Sequence, residues 1–221
     1  MITAKNISKS YGGKSVLNDI DFAAAGGESV VIVGRNGAGK STFLSILAGY
    51  LKPDSGCVEA AGGGVAFCPQ QDNLFEELSV RDNLLFWERA KGRPVGSNIE
   101  ELVRVLGINE YAKKKVRHLS GGMKKSVAIV CALSGGADVL ILDEPFSGLD
   151  IFYKDELLKA LEELRRSGKC IIYTSHNIDE IMGLDSKIYT LSGGKLAHID
   201  DIAKDSGNDA VRASLLEHSK A

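Results

Sequence analysis

No apolar run in this sequence approaches the roughly 20 residues that a helix needs to cross a bilayer. The longest, 127–133 (VAIVCAL) and 139–142 (VLIL), are the size of buried core segments. The chain is therefore not expected to span a membrane by itself. An excess of positive charge is also missing: 27 Lys and Arg stand against 29 Asp and Glu, a formal net charge of −2. No global field favours a nucleic-acid partner, and none is expected. Cysteine is scarce, and Cys57, Cys68, Cys131 and Cys170 show no paired spacing, which argues against a disulfide framework or a structural zinc site. The first residues, MITAKNISKSYGGKSV, contain no continuous apolar segment of the secretory kind. These absences suggest a cytoplasmic protein with reduced thiols. What is present is ordinary: 221 residues, 44% hydrophobic and 25% charged, the balance of one globular domain or a domain with a lobe.

Along the chain, residues 1–33 alternate polar and apolar positions, break at the glycine pairs 12–13 and 26–27, and end in the buried run 30–33. This predicts several short strands. The run leads into a glycine-rich loop, 34–42, and then into 43–47, whose apolar residues recur at helical spacing. Pro53, Gly56 and the triple glycine 62–64 mark turns around a strand at 65–68. From about 74 to 135 the pattern is mostly helical, with a loop expected at 92–98. Strand character returns at 139–142 and 170–174, with an amphipathic helix at 154–166 between them. Strands alternating with helices imply a largely parallel sheet, hence an α/β fold with a helical insertion. Residues 200–221 are expected to form a frayed terminal helix.

Gly34-x4-Gly39-Lys40-Ser41 fits the phosphate-loop pattern. Successive backbone N–H groups must point into one concavity, which requires conformations that glycine reaches without steric cost. The helix that follows turns its unpaired N–H groups and dipole toward the same anion. Lys40 supplies a point charge for phosphate, and the Ser41 hydroxyl a hard oxygen for Mg²⁺. The strand 139–142 ends in Asp143 and Glu144, at the carboxyl edge where open α/β sheets bind ligands. An acidic pair after a strand is most often a helix N-cap; beside a phosphate loop, Asp143 suits Mg²⁺, usually through water, and Glu144 suits activation of an attacking water. Pro145 favours a sharp turn after the pair. His176 follows the strand 170–174 and is expected on the same edge, in contact with a γ-phosphate.

With these residues in order, the chain resembles the nucleotide-binding subunit of ATP-binding cassette (ABC) transporters over nearly all of 1–200. Leu119-Ser120-Gly121-Gly122-Met123 looks like the family's signature, and Ser147-Gly148-Leu149-Asp150 like its D-loop. Gln70 looks like the Q-loop glutamine, and Tyr11 stands where the family places an aromatic on adenine. Of three Ser-Gly-Gly copies, only the one at 120 stands the family's usual 23 residues before Asp143; those at 134 and 192 are expected to be turns.

The resemblance implies one nucleotide-binding domain over 1–221, a P-loop NTPase (RecA-like) core with an antiparallel β subdomain, a helical lobe at about 74–135 and a tail at about 200–221. It implies Mg²⁺-dependent ATP hydrolysis, with Glu144, His176 and Gln70 catalytic and Ser41, Gln70 and Asp143 at the metal. Tyr11, Gly34, Asn36, Gly37, Gly39, Lys40, Ser41 and Thr42 would hold nucleotide in one subunit. Ser120, Gly121 and Gly122 would hold it across the interface of an ATP-sandwiched dimer, with either an identical or a different second subunit. A separate multi-spanning membrane subunit would be the other partner, placing the chain at the inner face of the cell membrane. Met123, where glutamine is usual, resembles exporter-type (ABC-2) subunits; uptake and soluble relatives are the alternatives. Trp87, Phe86, Leu84 and Leu85 either line a docking groove for the membrane subunit or form the lobe's own core. The bases Lys113, Lys114, Lys115, Arg117, Lys124 and Lys125 have no acid among them. They form either a solvated helix face or a field for the partner's phosphate.

Overall fold

Strands that bury every residue must sit inside a sheet covered on both faces. β3 (Ser29–Val33), β6 (Val139–Leu142) and β7 (Cys170–Thr174) meet that condition along their whole length. The structure, a computed structural model, describes residues 1–90, 103–104 and 106–199. Its larger sheet has six strands in the order β5 (Val65–Cys68), β6, β7, β3, β8 (Ser186–Ser192) and β9 (Lys195–His198). All neighbours are parallel except β8 and β9, which form a hairpin through Gly193 and Gly194, both at positive φ. The Ser-Gly-Gly at 192 is thus a turn, and the one at 134 ends a helix with Gly136 at positive φ.

The N-terminal segment departs from the expectation of several short strands. β1 (Ile2–Tyr11) and β2 (Lys14–Ala24) are long, 10 and 11 residues, and pair antiparallel. Gly12 and Gly13, with φ of 56° and 79°, supply the double positive-φ turn that a tight hairpin requires. One face of the hairpin is apolar, with Ile2, Ile7, Leu17, Ile20 and Phe22 buried. A further strand, β4 (Ser55–Ala60), pairs with β1 and completes a three-stranded sheet. Its sequence lacks alternation because it is an exposed edge, so periodicity did not reveal it. It approaches β1 so closely that a Cβ on Gly56 would lie 2.3 Å from Lys5 O.

Helix α1 (Lys40–Leu47) packs with the antiparallel sheet on one face of the larger sheet, through Phe43, Leu44 and Leu47. The other face is covered by α3 (Gly121–Leu133) and α4 (Ile151–Arg166). α4 starts three residues before the expected 154, because Asp150 caps it by accepting from Phe152 N and Tyr153 N. A short α5 (Ile178–Met182) follows β7. In the stretch expected to be mostly helical, α2 (Val80–Ala90) and α3 are joined by 3-10 turns at Ile108–Tyr111 and Val116–His118. The expected loop at 92–98 and the terminal helix at 200–221 lie outside the described residues. The two readings of the aromatic group divide by residue. Leu84 is core, Leu85 and Trp87 are half-buried, and Phe86 is exposed against Phe75, ring centroids 4.6 Å apart.

Candidate functional site

Strand order makes the site. Because β5, β6, β7 and β3 are adjacent, their carboxyl ends line up Gln70, Asp143 with Glu144, His176 and the phosphate loop along one edge of the sheet. The order of these residues in the chain is different, and only the crossovers bring them together.

The loop between β3 and α1 takes its shape from Gly37 and Gly39, with φ of 79° and 104°. Gly39 has a second reason to be glycine, since a Cβ there would lie 2.9 Å from Val16 Cγ1. Lys40 is buried at 7% exposure, and its ammonium lies inside the loop, donating to Gly34 O at 2.8 Å and Arg35 O at 3.1 Å. Asn36, Gly37, Gly39, Lys40, Ser41 and Thr42 all line an open cleft of about 480 Å³. Tyr11, Gln70 and Glu144 complete its walls. That volume lies within the ordinary range for small-molecule sites, ~300–1,000 Å³. Tyr11 is half exposed, with the Lys9 ammonium 5.6 Å from its ring centre. Gly34 is displaced from this cleft: a Cβ on it would lie 2.5 Å from Leu191 O, so close packing against β8 is what it serves. It lines a neighbouring cleft of about 460 Å³ together with His176.

Opposite the loop, Gln70 Nε2 donates to Glu144 Oε2 at 3.1 Å, and His176 Nδ1 lies 3.8 Å from Glu144 Oε1. Glu144 occupies the left-handed region, φ 46°, which costs a residue with a Cβ of the order of 1 kcal/mol and is a common mark of functional positions. Its backbone N–H donates to Thr174 Oγ1 at 2.8 Å, and the Thr174 hydroxyl donates to Asp143 Oδ1 at 2.8 Å. Asp143 is 5% exposed and does not itself line the cleft. Ser41 and Gln70 face the cleft directly. Among the described residues no three His, Cys, Asp or Glu side chains group as a self-sufficient metal site. Sparse oxygen donors beside a phosphate cradle fit Mg²⁺, which is commonly held by one or two protein groups, water and substrate phosphates.

Ser120, Gly121 and Gly122 do not line the cleft. Ser120 caps α3, its Oγ accepting from Met123 N at 3.3 Å. Gly122 packs on α4, where a Cβ would fall 2.3 Å from Tyr153 Cγ. The basic cluster is partly answered by acids distant in sequence. Lys115 and Arg117 pair with Glu77, Lys124 with Glu76, and Lys125 with Asp72. A local charge count missed these because the partners lie about 38 to 53 residues away.

Sequence reasoning missed three supporting groups. Thr174 ties the two carboxylate residues to β7. The buried Glu180 accepts from Ser175 Oγ at 2.6 Å and from Lys154 Nζ at 2.7 Å, fixing the turn that carries His176. Lys125 was read only as part of the basic cluster. A hydroxyl pair before a strand-end histidine, Thr174-Ser175, was the available signal for the first two. Cys68, at the foot of the Gln70 loop, has its thiol pushed up to about 12 by burial and stays protonated.

The family model described as ABC transporter matches residues 17–147. The linearmycin resistance ATP-binding protein of Bacillus subtilis (strain 168) is 32% identical over 96% of this chain and 73% of its own length. The molybdate/tungstate import ATP-binding protein WtpC of Thermococcus kodakarensis is 32% identical over 91% of this chain and 65% of its own. A solved structure described as the ATP binding subunit of an ABC transporter superposes with a TM-score of 0.81 at 27% identity, covering 98% of this chain and 99% of that one.

Proposed function

This chain belongs to the ABC transporter family, and on that premise we propose that it binds and hydrolyses ATP to drive a separate membrane-spanning subunit in the direction of export. The observation that carries the reading is the cleft in which Lys40, Ser41 and Thr42 of the phosphate loop face Gln70 and Glu144. The loop amides and Lys40 bind and orient phosphate oxygens; Tyr11 offers a ring for the base. Glu144 holds the attacking water and takes its proton, with Gln70 fixing the carboxylate and His176 beside it, 3.8 Å away. Ser41, Gln70 and Asp143 are the residues that would hold Mg²⁺, which would supply charge neutralisation for the transferring phosphoryl group. A second subunit would close the site over the nucleotide by presenting its own Ser120, Gly121 and Gly122, which lie off the cleft in this chain. Ile151 and Phe152, 76% and 79% exposed beside Asp150, suit burial in such a contact.

Export is favoured by Met123 in the signature and accords with a relative named for linearmycin resistance. Uptake is the second reading, favoured by the relative named for molybdate/tungstate import. A tagged pull-down from detergent-solubilised native membranes, read by mass spectrometry, is expected to recover a multi-spanning protein at equal stoichiometry. Recovery without one would move the chain to a soluble role while leaving the ATPase reading intact. Lys40→Ala is expected to weaken ATP binding by about tenfold or more, the value of one charge-assisted hydrogen-bonding group. Unaltered affinity by calorimetry would remove the phosphate-loop assignment.

A further inference from the structure

Lys125 lies five residues into α3, the helix that Ser120 caps, and its side chain is 6% exposed. An ammonium withdrawn from water needs oxygen partners, and those of Lys125 all lie in the segment after β5. Nζ donates to Asp72 Oδ1 at 2.8 Å, to Gln70 O at 3.2 Å and, more weakly, to Pro69 O at 3.4 Å. Lys124 to Glu76 and Arg117 to Glu77, both at 2.8 Å, stitch the rest of this segment to the lobe. Those pairs have exposed carboxylates and contribute little individually. Lys125 is the buried member, and two of its three acceptors, the carbonyls of Pro69 and Gln70, are main-chain atoms, so it fixes the backbone path. The side chain of Gln70 meanwhile reaches the other way, to Glu144 at the end of β6. Gln70 is thus held at its backbone by the lobe and at its amide by the catalytic carboxylate.

We propose that Lys125 is a positioning residue for hydrolysis: it makes Gln70 travel with α3, so that the position of the helix capped by Ser120 is read out at Glu144. This rests on the ATPase reading above and goes beyond it. The physical reason is leverage without slack. A rigid helix, a buried ion pair and a main-chain carbonyl transmit a small shift undiminished, and a misplacement of ~1 Å at a reacting group costs ~10²-fold in rate. Asp72, Glu76 and Glu77 with Lys115, Arg117, Lys124 and Lys125 accordingly form one mechanical unit, joined to the sheet at Cys68-Pro69.

Lys125→Met keeps the aliphatic stem and removes the donor, whereas Lys125→Arg keeps a cation. In Lys125→Met, kcat for ATP hydrolysis is expected to fall about tenfold or more while KM for ATP changes less than about threefold, with Lys125→Arg recovering most of the rate. Hydrogen exchange of the 69–77 amides is expected to quicken in Lys125→Met, with β3 and β6 unchanged. In a Gln70→Ala background, Lys125→Met should lower kcat no further. Losses that multiply would overturn the proposal, as would unchanged exchange at 69–77 in folded Lys125→Met. If Lys125→Met does not fold, Asp72→Asn loosens the same contact from the other side and is held to the same outcomes. A wild-type chain that binds its membrane partner but does not hydrolyse ATP would remove the ATPase reading itself. A wild-type chain that hydrolyses, with Lys125→Met indistinguishable from it, would overturn the positioning role alone.

Discussion

Glu144→Gln is expected to lower the rate of ATP hydrolysis by a factor of about 10² or more while ATP affinity stays within a few-fold. The substitution is isosteric and leaves φ at 46°, the Glu144 N–H to Thr174 bond and an oxygen for Gln70 Nε2 in place. Only the charge and the ability to take a proton are lost. A tenfold change in rate is about 1.4 kcal/mol of barrier, so the expected loss is ~3 kcal/mol or more, too large for a residue that merely packs. Single-turnover phosphate release paired with calorimetric ATP binding checks it. The same variant should accumulate an ATP-bound dimer in the presence of Mg²⁺, visible by gel filtration. An unchanged hydrolysis rate would take Glu144 out of the chemistry and leave its backbone conformation without a functional account.

Gly122→Ala is expected to damage both stability and turnover, for separable reasons. A Cβ at 122 would sit 2.3 Å from Tyr153 Cγ and 2.5 Å from Tyr153 Cδ1, so the start of α4 must move away from α3. Overpacking of this kind costs ~1–3 kcal/mol. At ~2–4 °C per kcal/mol for a chain of this size, the melting temperature should fall by about 2–12 °C. Turnover should fall as well, because α3 carries both Ser120 and Lys125. Tyr153→Ala in the same chain removes the two nearest ring atoms but leaves a Cβ at 2.8 Å, so stability should return only in part. Thermal unfolding separates the two effects. An unchanged melting temperature in Gly122→Ala would mean that the helix pair accommodates a methyl group freely, leaving Gly122 with no packing role.

The phosphate loop was the most legible part of the chain, because glycine positions, a cation and a hydroxyl at fixed spacing are a local device. Every residue from Asn36 to Thr42 named for that role, other than Gly34 before them, does line the cleft. Gly34 shows how a motif residue serves a different constraint, since its small size answers to Leu191 on β8. The central strands were legible for a similar reason: burial on both faces writes a continuous apolar run such as 30–33 or 139–142. β4 was illegible because an exposed edge strand carries no apolar period. The basic cluster at 113–125 was readable in its bases and opaque in its acids, because ion pairing ignores sequence distance.

By itself, then, the sequence determined the α/β class, the phosphate loop, the acidic strand end and the order of motifs that marks the family. The loop and the strand end depend on residues within a few positions of one another, while the class and the motif order come from reading such local signals in succession along the chain. Only the tertiary structure decided that β5, β6, β7 and β3 lie side by side, that Thr174 holds Asp143 and Glu144 together, and that Lys125 grips the backbone of Gln70. Those facts depend on crossover connections and on contacts between groups 30 to 55 residues apart, where no local period or spacing carries the information.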